Sequence, residues 1–529
     1  MTTIVLVSLI SSAFMLFLFG AAPSAACNRR PVAIRSAVTL LAGWQSGLAL
    51  IAMLGRLSGV VDPIAELRWP PVGPLACGVF LDGVSGLVFL LVSFIGLIVC
   101  QYSIRYLDGD PRQGDYFRWV AATIGSVSLL VLSGNLLMLV LAWVATSLSL
   151  HQLLLHYPGR SGARRAAWKK FAISRAGDIF LVVALLLAFR EFATFDLSAI
   201  FAAVAPGQVL SAERDSTLAW VSWLVVLGGI TKSAQFPLHS WLPETLETPT
   251  PVSALMHAGV VNAGGYLIIR LSPLLVHQSS ALDLLTVVGT ATAAYGGVVM
   301  LTQSSVKKAL AYSTVAQMGF MMLQCGLGAF SAAMLHLVSH SLYKAYAFLN
   351  SGNVLKDERA SRVVAELNSA RRLRLTQLPL IAAASIVGSC LIAWLMGFDV
   401  SSKPGGYALA AIFCLALTMG IWESLKIPRQ TIRRTAALAA AGLTVLYISG
   451  YLAIDSLVGA NVAHFPSDGR PSIAGGVVVI AFFGLAALQV LLRLPAAHRR
   501  RDALYVHAIN GFYVDAAILR VAGPRLSKR

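Results

Sequence analysis

Long apolar stretches alternate with short polar ones along the whole chain. A helix needs about 20 apolar residues to cross the hydrocarbon of a bilayer, and by that measure the pattern supplies about fifteen crossings. They fall near residues 2–24, 34–57, 81–104, 117–133, 135–156, 171–189, 218–238, 251–276, 282–302, 309–328, 330–350, 375–397, 405–427, 435–459 and 472–494. Backbone polar groups in lipid need partners within their own segment, so these runs are predicted as helices. The fold class that follows is all-α, a polytopic membrane helix bundle of about 14–15 transmembrane helices. The longest polar stretches are 58–80, 190–217, 351–374 and 495–529, and none is long enough to form a separate soluble domain. Segment 351–374 reads as a surface helix. The tail from 495 carries Leu504, Val506, Phe512, Ile518 and Val521, apolar residues suited to docking on a lipid surface, on this chain's own loops or on a partner.

Composition agrees with the pattern. The chain of 529 residues is 57% hydrophobic and 12% charged, against about 25% charged in an average soluble domain. The net charge of +18 raises the question of nucleic acid, but the placement of the cations answers it. Numbered by the preceding helix, the odd connections hold most of them. Arg29, Arg30 and Arg35 come first, then Arg105, Arg112 and Arg118, then Arg160, Arg164, Arg165, Lys169 and Lys170. Later odd connections hold Lys307 and Lys308, the cluster from Lys356 to Arg374, Lys426 to Arg434, and Arg499 to Arg501. That asymmetry is the positive-inside pattern, which predicts an outside N-terminus, a cytoplasmic C-terminus and no nucleic-acid partner. The first apolar run has no Lys or Arg before it and exceeds a usual signal core, so it is read as the first membrane helix. Six scattered cysteines form no C-x-x-C pair and imply neither disulfides nor a metal. No nucleotide-binding, haem or iron–sulfur spacing occurs, so no cofactor is expected.

Ionisable residues inside the apolar runs cost about 2.5–3.5 kcal/mol each on insertion scales, which makes them functional candidates. Asp178 follows Arg175 at i, i+3 in "FAISRAGDIFLVVALLLAF" and shares its helix face, as a self-neutralising pair or as a working carboxylate. Lys232 closes a largely apolar run in "WLVVLGGITKSAQFPLHSW". It either snorkels to the interface near Pro237 and His239, or stays desolvated as an amine that passes a proton on. The whole stretch from Thr231 to Ala258, "TKSAQFPLHSWLPETLETPTPVSALMHA", concentrates charge, imidazole and four prolines. Pro251 fits the first turn of a new helix, which puts His257 about two turns along it. His336, His340 and Lys344 stand at i, i+4, i+8, one stripe of a single helix and a plausible proton-hopping row. Two histidines at i, i+4 also suit zinc, but no carboxylate or thiolate completes a site, and no metal is expected. Glu423, three before Lys426, reads most simply as half of an interfacial ion pair.

Three strings, "KSAQFPLHSWLPETLETPTPVSALMHAG", "VKKALAYSTVAQMGF" and "LHLVSHSLYKAYAFLNSG", resemble the proton-conducting membrane subunits of respiratory complex I and Mrp-type antiporters over roughly residues 80–395. The resemblance implies two inverted five-helix repeats with broken helices. It divides the chain into N-terminal helices (1–104), a first repeat (105–276), a second repeat (277–427), C-terminal helices (428–494) and a cytoplasmic tail (495–529). It makes Lys232 the first-repeat lysine, His257 the bridging histidine, His336, His340 and Lys344 the central polar row, and Arg175 and Asp178 the family's "R-x-G-D" helix. Two departures stand out. Relatives carry a glutamate after the fifth-helix tryptophan, whereas Val144 follows Trp143 here, so Asp178 or a histidine such as His151 is expected to partner Lys232. The second broken-helix string survives only as "MGFDVSSK", leaving Asp399 and Lys403 as stand-ins. "MHAGVVNAGGYLIIRLSPLL" and "LYVHAINGFYVDAAILR" resemble most the DabB subunits of bacterial inorganic-carbon accumulation complexes. This implies a cytoplasmic, zinc-containing DabA-like partner that converts CO2 to bicarbonate, a bacterial inner-membrane location, and a transport rather than catalytic role for this chain. A subunit of complex I or an antiporter, and a mere membrane anchor for a cytoplasmic enzyme, are the alternatives.

Overall fold

The structure is a computed structural model and describes residues 1–69, 77–205, 208, 211–353, 375–425, 430–463, 473–492 and 498–522. The expected surface helix at 351–374 and the cations Lys356 to Arg374 and Lys426 fall almost wholly outside these.

A helix stands at each of the fifteen apolar runs. In chain order the longer helices are α1 (Thr2–Leu18), α2 (Pro31–Leu57), α3 (Gly83–Tyr106), α4 (Gln113–Val131), α5 (Leu136–Leu154), α6 (Ser161–Phe192), α7 (Ala212–Lys232), α8 (Thr250–Ala258) and α9 (Ala263–Arg270). They continue with α10 (Ser279–Met300), α11 (Val306–Gly326), α12 (Phe330–Leu349), α13 (Leu378–Leu395), α14 (Gly406–Ser424), α15 (Gln430–Val458), α16 (Ile473–Leu491), and the tail helices α17 (His498–Ile509) and α18 (Val514–Ala522). Eleven described spans are long and apolar enough to cross a membrane, counting α8 and α9 as one. The helices α4, α7, α11 and α12 are of similar length but more polar, and three of them carry the candidate site. Among the described residues the only sheet is a two-stranded antiparallel ribbon, β1 (Ala65–Trp69) and β2 (Cys77–Leu81), in register Ala65↔Leu81.

Helix ends follow local chemistry. Asp82 caps α3 through a reciprocal capping box with Ser85. Asn135 accepts from the backbone of Leu137 and Met138 to start α5, and Ser211 caps α7. Pro251 occupies the first turn of α8, as its missing N–H allows. The hairpin α10–α11 packs backbone against backbone. A Cβ at Gly289 would lie 2.5 Å from Leu323 N, and one at Gly319 would lie 2.4 Å from Ala293 N, so glycine sets this close approach.

Two buried polar ties hold α2, α3, α4 and α9 together. Gln45 donates to Ser93 and Ser128 Oγ at 2.9 and 2.8 Å. Arg270, at the end of α9, donates twice to Asp82 at 2.8 Å, and both side chains are almost wholly buried. Paired geometry of this kind fixes orientation as well as charge. Removing one partner leaves a buried unpaired charge, at a cost of about 3–5 kcal/mol. Asp82→Leu alone is therefore expected to lower the thermal unfolding temperature of the detergent-solubilised chain sharply. The Asp82→Leu/Arg270→Met double variant should recover most of the loss, falling short by about 1 kcal/mol for the lost helix cap. A double variant no more stable than the single one would contradict this reading.

Candidate functional site

The first charged cluster forms where α5, α6 and α7 meet. Lys232 is the last residue of α7 and is 4% exposed. Its Nζ donates to the Trp143 carbonyl at 3.2 Å and sits 4.4 Å above the Trp143 ring. A cation over an indole face is attracted by the ring quadrupole, more strongly when water is excluded. On α6, the Asp178 carboxylate lies 2.6 Å from the Arg175 guanidinium. Asp178 is buried and electrostatically coupled to Lys232 and Lys170. Among the described contacts no carboxylate touches Lys232, so Asp178 acts on it through space while Trp143 makes the contact.

Lys170 corrects the sequence expectation. It was grouped with the loop cations, yet it lies inside α6, 2% exposed. Its Nζ donates to Ser147 O and Oγ at 2.7 and 2.9 Å. Lys170, Ser174 and Asp178 are spaced i, i+4, i+8 and make one buried stripe. That periodicity was the available signal, hidden by the exposed basic residues next to it. The facing stripe on α5 is Trp143, Ser147 and His151 at the same spacing. His151 is buried, its Nδ1 3.2 Å from Ala167 O, its ring against Trp168 and Phe171.

Beyond Lys232 the chain leaves the helix, and Phe236 N donates to Thr292 Oγ1 at 2.9 Å. A second interruption follows at Gly259, between α8 and α9, where the backbone leaves helical geometry (φ −120°, ψ −78°). The break exposes carbonyls that side chains then occupy. Ser233 donates to Val261 O at 2.7 Å, Asn262 to Ala258 O at 2.9 Å, and His340 Nε2 approaches His257 O at 3.2 Å. Such satisfaction is what permits irregular backbone at membrane depth. Asn262 also donates to Ser341 Oγ on α12 at 2.7 Å. The break thus lies between the Lys232 cluster and the polar row.

In that row His257 is fully buried, with Nδ1 3.1 Å from Thr314 Oγ1 and its ring stacked on Phe348 at 4.3 Å. On α12, His336 and His340 have ring centroids 5.9 Å apart, and His336 also touches Phe320. His340 Nδ1 lies 2.6 Å from Gln317 Oε1. A neutral imidazole has one donor and one acceptor nitrogen, and His340 faces a fixed acceptor at His257 O. Gln317 can turn its amide to offer either group, so it serves both the neutral and the doubly protonated ring. Lys344 is buried and donates to Leu310 O at 3.2 Å and to Ser313 Oγ. The partners Thr314, Gln317 and Ser313 all come from α11. All three lie in the string "VKKALAYSTVAQMGF".

The remaining candidates lie apart from these contacts. Asp399 is exposed and accepts from Ser401 N and Oγ at 2.9 and 2.7 Å, closing its own turn. Lys403 pairs with Asp455 of α15 at 3.1 Å, and Ser331 of α12 donates to the same carboxylate at 2.6 Å. Asp455 was not anticipated. Glu423 is half-buried at the end of α14, beside the buried Trp422. Its expected partner Lys426 is outside the described residues. His239 is buried in the connection after α7, its ring against Phe236 and Tyr295 at 5.9 and 4.5 Å.

The chain is similar to known membrane proteins over most of its length. Residues 133–399 match the family model described as NADH:quinone oxidoreductase/Mrp antiporter, TM, and residues 69–117 match complex I chain 5 N-terminus. The "Probable inorganic carbon transporter subunit DabB2" of Halothiobacillus neapolitanus is 38% identical over 491 residues, 90% of this chain and 86% of the relative. The "Probable inorganic carbon transporter subunit DabB" of Hydrogenovibrio crunogenus is 39% identical over 492 residues, 91% of this chain and 89% of the relative. Among solved structures, a chain of the Mrp complex from Dietzia sp. DQ12-45-1b superposes with a TM-score of 0.62 at 24% identity, which shows the shared fold. The match covers all of this chain and 61% of that one.

If the Trp143 ring stabilises the Lys232 ammonium, the two residues are energetically coupled. A double-mutant cycle of Trp143→Leu and Lys232→Met, read by thermal unfolding, is expected to give about 1–2 kcal/mol of coupling. Strict additivity would show that the ring only fills space.

Proposed function

Because this chain belongs to the DabB family of inorganic carbon transporter subunits, within the NADH:quinone oxidoreductase/Mrp antiporter membrane proteins, we propose that it conducts protons to energise inorganic-carbon uptake. The observation that carries the reading is the buried sequence of exchangeable groups. It runs from Lys170 and Lys232 beside Asp178, past the Ser233–Val261 contact at the break, to His257, His340 and Lys344.

The physical case rests on charge balance. The first cluster gathers two lysines and Arg175 around one carboxylate. A low-dielectric bundle does not hold that much unbalanced charge. The cluster therefore exchanges protons: one arriving at Lys232 raises the cost of one on Lys170, and the reverse. The hydrogen bonds at the break, Ser233 to Val261 O and Asn262 to Ser341 Oγ, link the Lys232 cluster to the place where His340 and the His257 carbonyl meet. Gln317 lets His340 accept a proton without losing a hydrogen bond, and Lys344 receives it one helical turn further, about 6 Å along the axis. Na+ has no cage of oxygen ligands among these amines and imidazoles, so the proton is the favoured ion.

The basic face of the bundle is the cytoplasmic one by the positive-inside rule, in a bacterial inner membrane, with the N-terminus outside and the C-terminus cytoplasmic. There the chain meets a DabA-like zinc-containing subunit. Movement of charge along the row changes the basic face and drives one-way conversion of CO2 to bicarbonate in that partner. Catalysis belongs to the partner.

One observation favours a second reading. Val144 replaces the family's glutamate, and Lys403 is tied to Asp455, so an anchor with a vestigial path would look similar. Genetics separates the two. Lys232→Ala, produced with the partner subunit in cells that require elevated CO2, is expected to abolish growth in air, while protein levels stay unchanged. Growth in air equal to wild type would sink the conducting role and leave the anchor.

A further inference from the structure

The C-terminal tail lies on the basic face, where it brings a second carboxylate to a charged group that the path does not use. Three separate elements hold it. Tyr295 of α10 donates to Gly511 O at 3.0 Å, and its ring meets that of Phe512 at 6.1 Å. Gln303, after α10, donates to Ile509 O at 3.4 Å. Lys169 of α6 reaches Asp515 Oδ1 at 2.5 Å and Glu244 Oε1 at 2.9 Å. The turn that aims Asp515 inward runs through left-handed backbone at Gly511, Phe512 and Tyr513 (φ 58°, 52° and 59°). A Cβ at Gly511 would lie 2.9 Å from Tyr295 Oη, so glycine eases both the left-handed backbone and the close approach of Tyr295.

We propose that Lys169, Glu244 and Asp515 form a proton-exchange site at the mouth of the first charged cluster, completed by the tail. The proposal rests on the reading that this cluster conducts protons and that the basic face opens to the cytoplasm. Lys169 and Lys170 are consecutive in α6, with Lys169 turned to the tail and Lys170 to Ser147 of α5, so the site and the cluster share the same turn of that helix. Both carboxylates remain 39% exposed while touching a common ammonium, the combination of solvent access and contact that an exchange site needs. Two carboxylates and one ammonium carry one excess negative charge, and a shared proton removes it.

Burial, and then the hydrogen bond that its protonated form donates to Asp515, push the Glu244 carboxyl up to about 7. Burial works against Asp515 too, but hydrogen bonds from Glu244, Lys169 and Ser240 bring it below its ordinary value. The other groups facing the site are His239, Tyr295 and Tyr312. Burial pushes His239 down to about 4, so it stays neutral in the working range.

The sign of the linkage follows. Glu244 has its ordinary carboxyl range when the tail is released and a raised one when it is docked, so docking takes up a proton between those values. Docking loses up to about tenfold in its equilibrium constant per pH unit as pH rises through that window to about 7, and is flat above it. Asp515 shifts oppositely, favouring docking above its own lower range, which lies outside the window.

The test uses hydrogen–deuterium exchange of residues 510–522 in the full chain in lipid nanodiscs, from pH 5 to 8, corrected for intrinsic rates. Wild type is expected to lose tail protection as pH rises to about 7. Glu244→Gln should remove that dependence, Asp515→Asn should leave the tail weakly protected throughout, and Glu244→Asp should restore the response. In proteoliposomes, Glu244→Gln should shift the pH profile of proton flux. A wild-type tail indifferent to pH, or a Glu244→Gln chain with wild-type tail response or flux profile, would overturn the proposal. Lys232→Ala separates the two readings, because it should stop flux and leave the tail response intact.

Discussion

Every buried amine along the proposed path donates to a backbone carbonyl. Lys232 uses Trp143 O, Lys170 uses Ser147 O and Lys344 uses Leu310 O. A helical carbonyl already accepts one bond from its own helix, but it has a second lone pair, and that is the one these lysines take. The choice has a consequence. A carbonyl satisfies the geometry of an ammonium without cancelling its charge, so the charge stays available to move. The Arg270–Asp82 pair shows the opposite solution, two parallel bonds and a full counter-charge, buried to the same depth and fixed in place.

The interrupted helix serves the same constraint. Stopping α8 at Gly259 opens the carbonyls of His257, Ala258 and Val261, and three polar side chains from three different segments fill them. The break is therefore a junction. It joins α7, α9 and α12 through hydrogen bonds that a continuous helix would have kept to itself. Val144, where the resemblance to complex I subunits implies a glutamate, fits this scheme: with Trp143 supplying both a carbonyl and a ring face, Lys232 is held without a touching carboxylate among the described residues.

The helices were legible because apolar length is a local property. The restart at Pro251 was legible because proline marks a first helical turn directly, whereas the apolar run extended to 238 and the helix stops at Lys232. Lys170 was misplaced because adjacent residues on a helix point about 100° apart. Lys169 faces the tail and Lys170 faces α5, and a run of basic residues hides that division until the stripe through Ser174 and Asp178 is traced. Partners distant in sequence were not legible at all. Asp82 and Arg270 are 188 residues apart, Lys169 and Asp515 are 346, and only the packing brings them together. Asp399 looked like a path residue by position in a string, yet its carboxylate is spent on its own turn.

In the proposed mechanism the carbonyl-held lysines carry the proton current. Its most direct measurement is the rate of proton flux driven by an imposed pH gradient into proteoliposomes containing this chain with its partner subunits. Lys344→Met removes the last amine of the row and keeps its volume, and Asp399→Asn serves as a control outside the path. Lys344→Met is expected to lose at least about tenfold in flux, the effect of raising the limiting barrier by about 1.4 kcal/mol, with Asp399→Asn unchanged. Equal flux in wild type and Lys344→Met would contradict it.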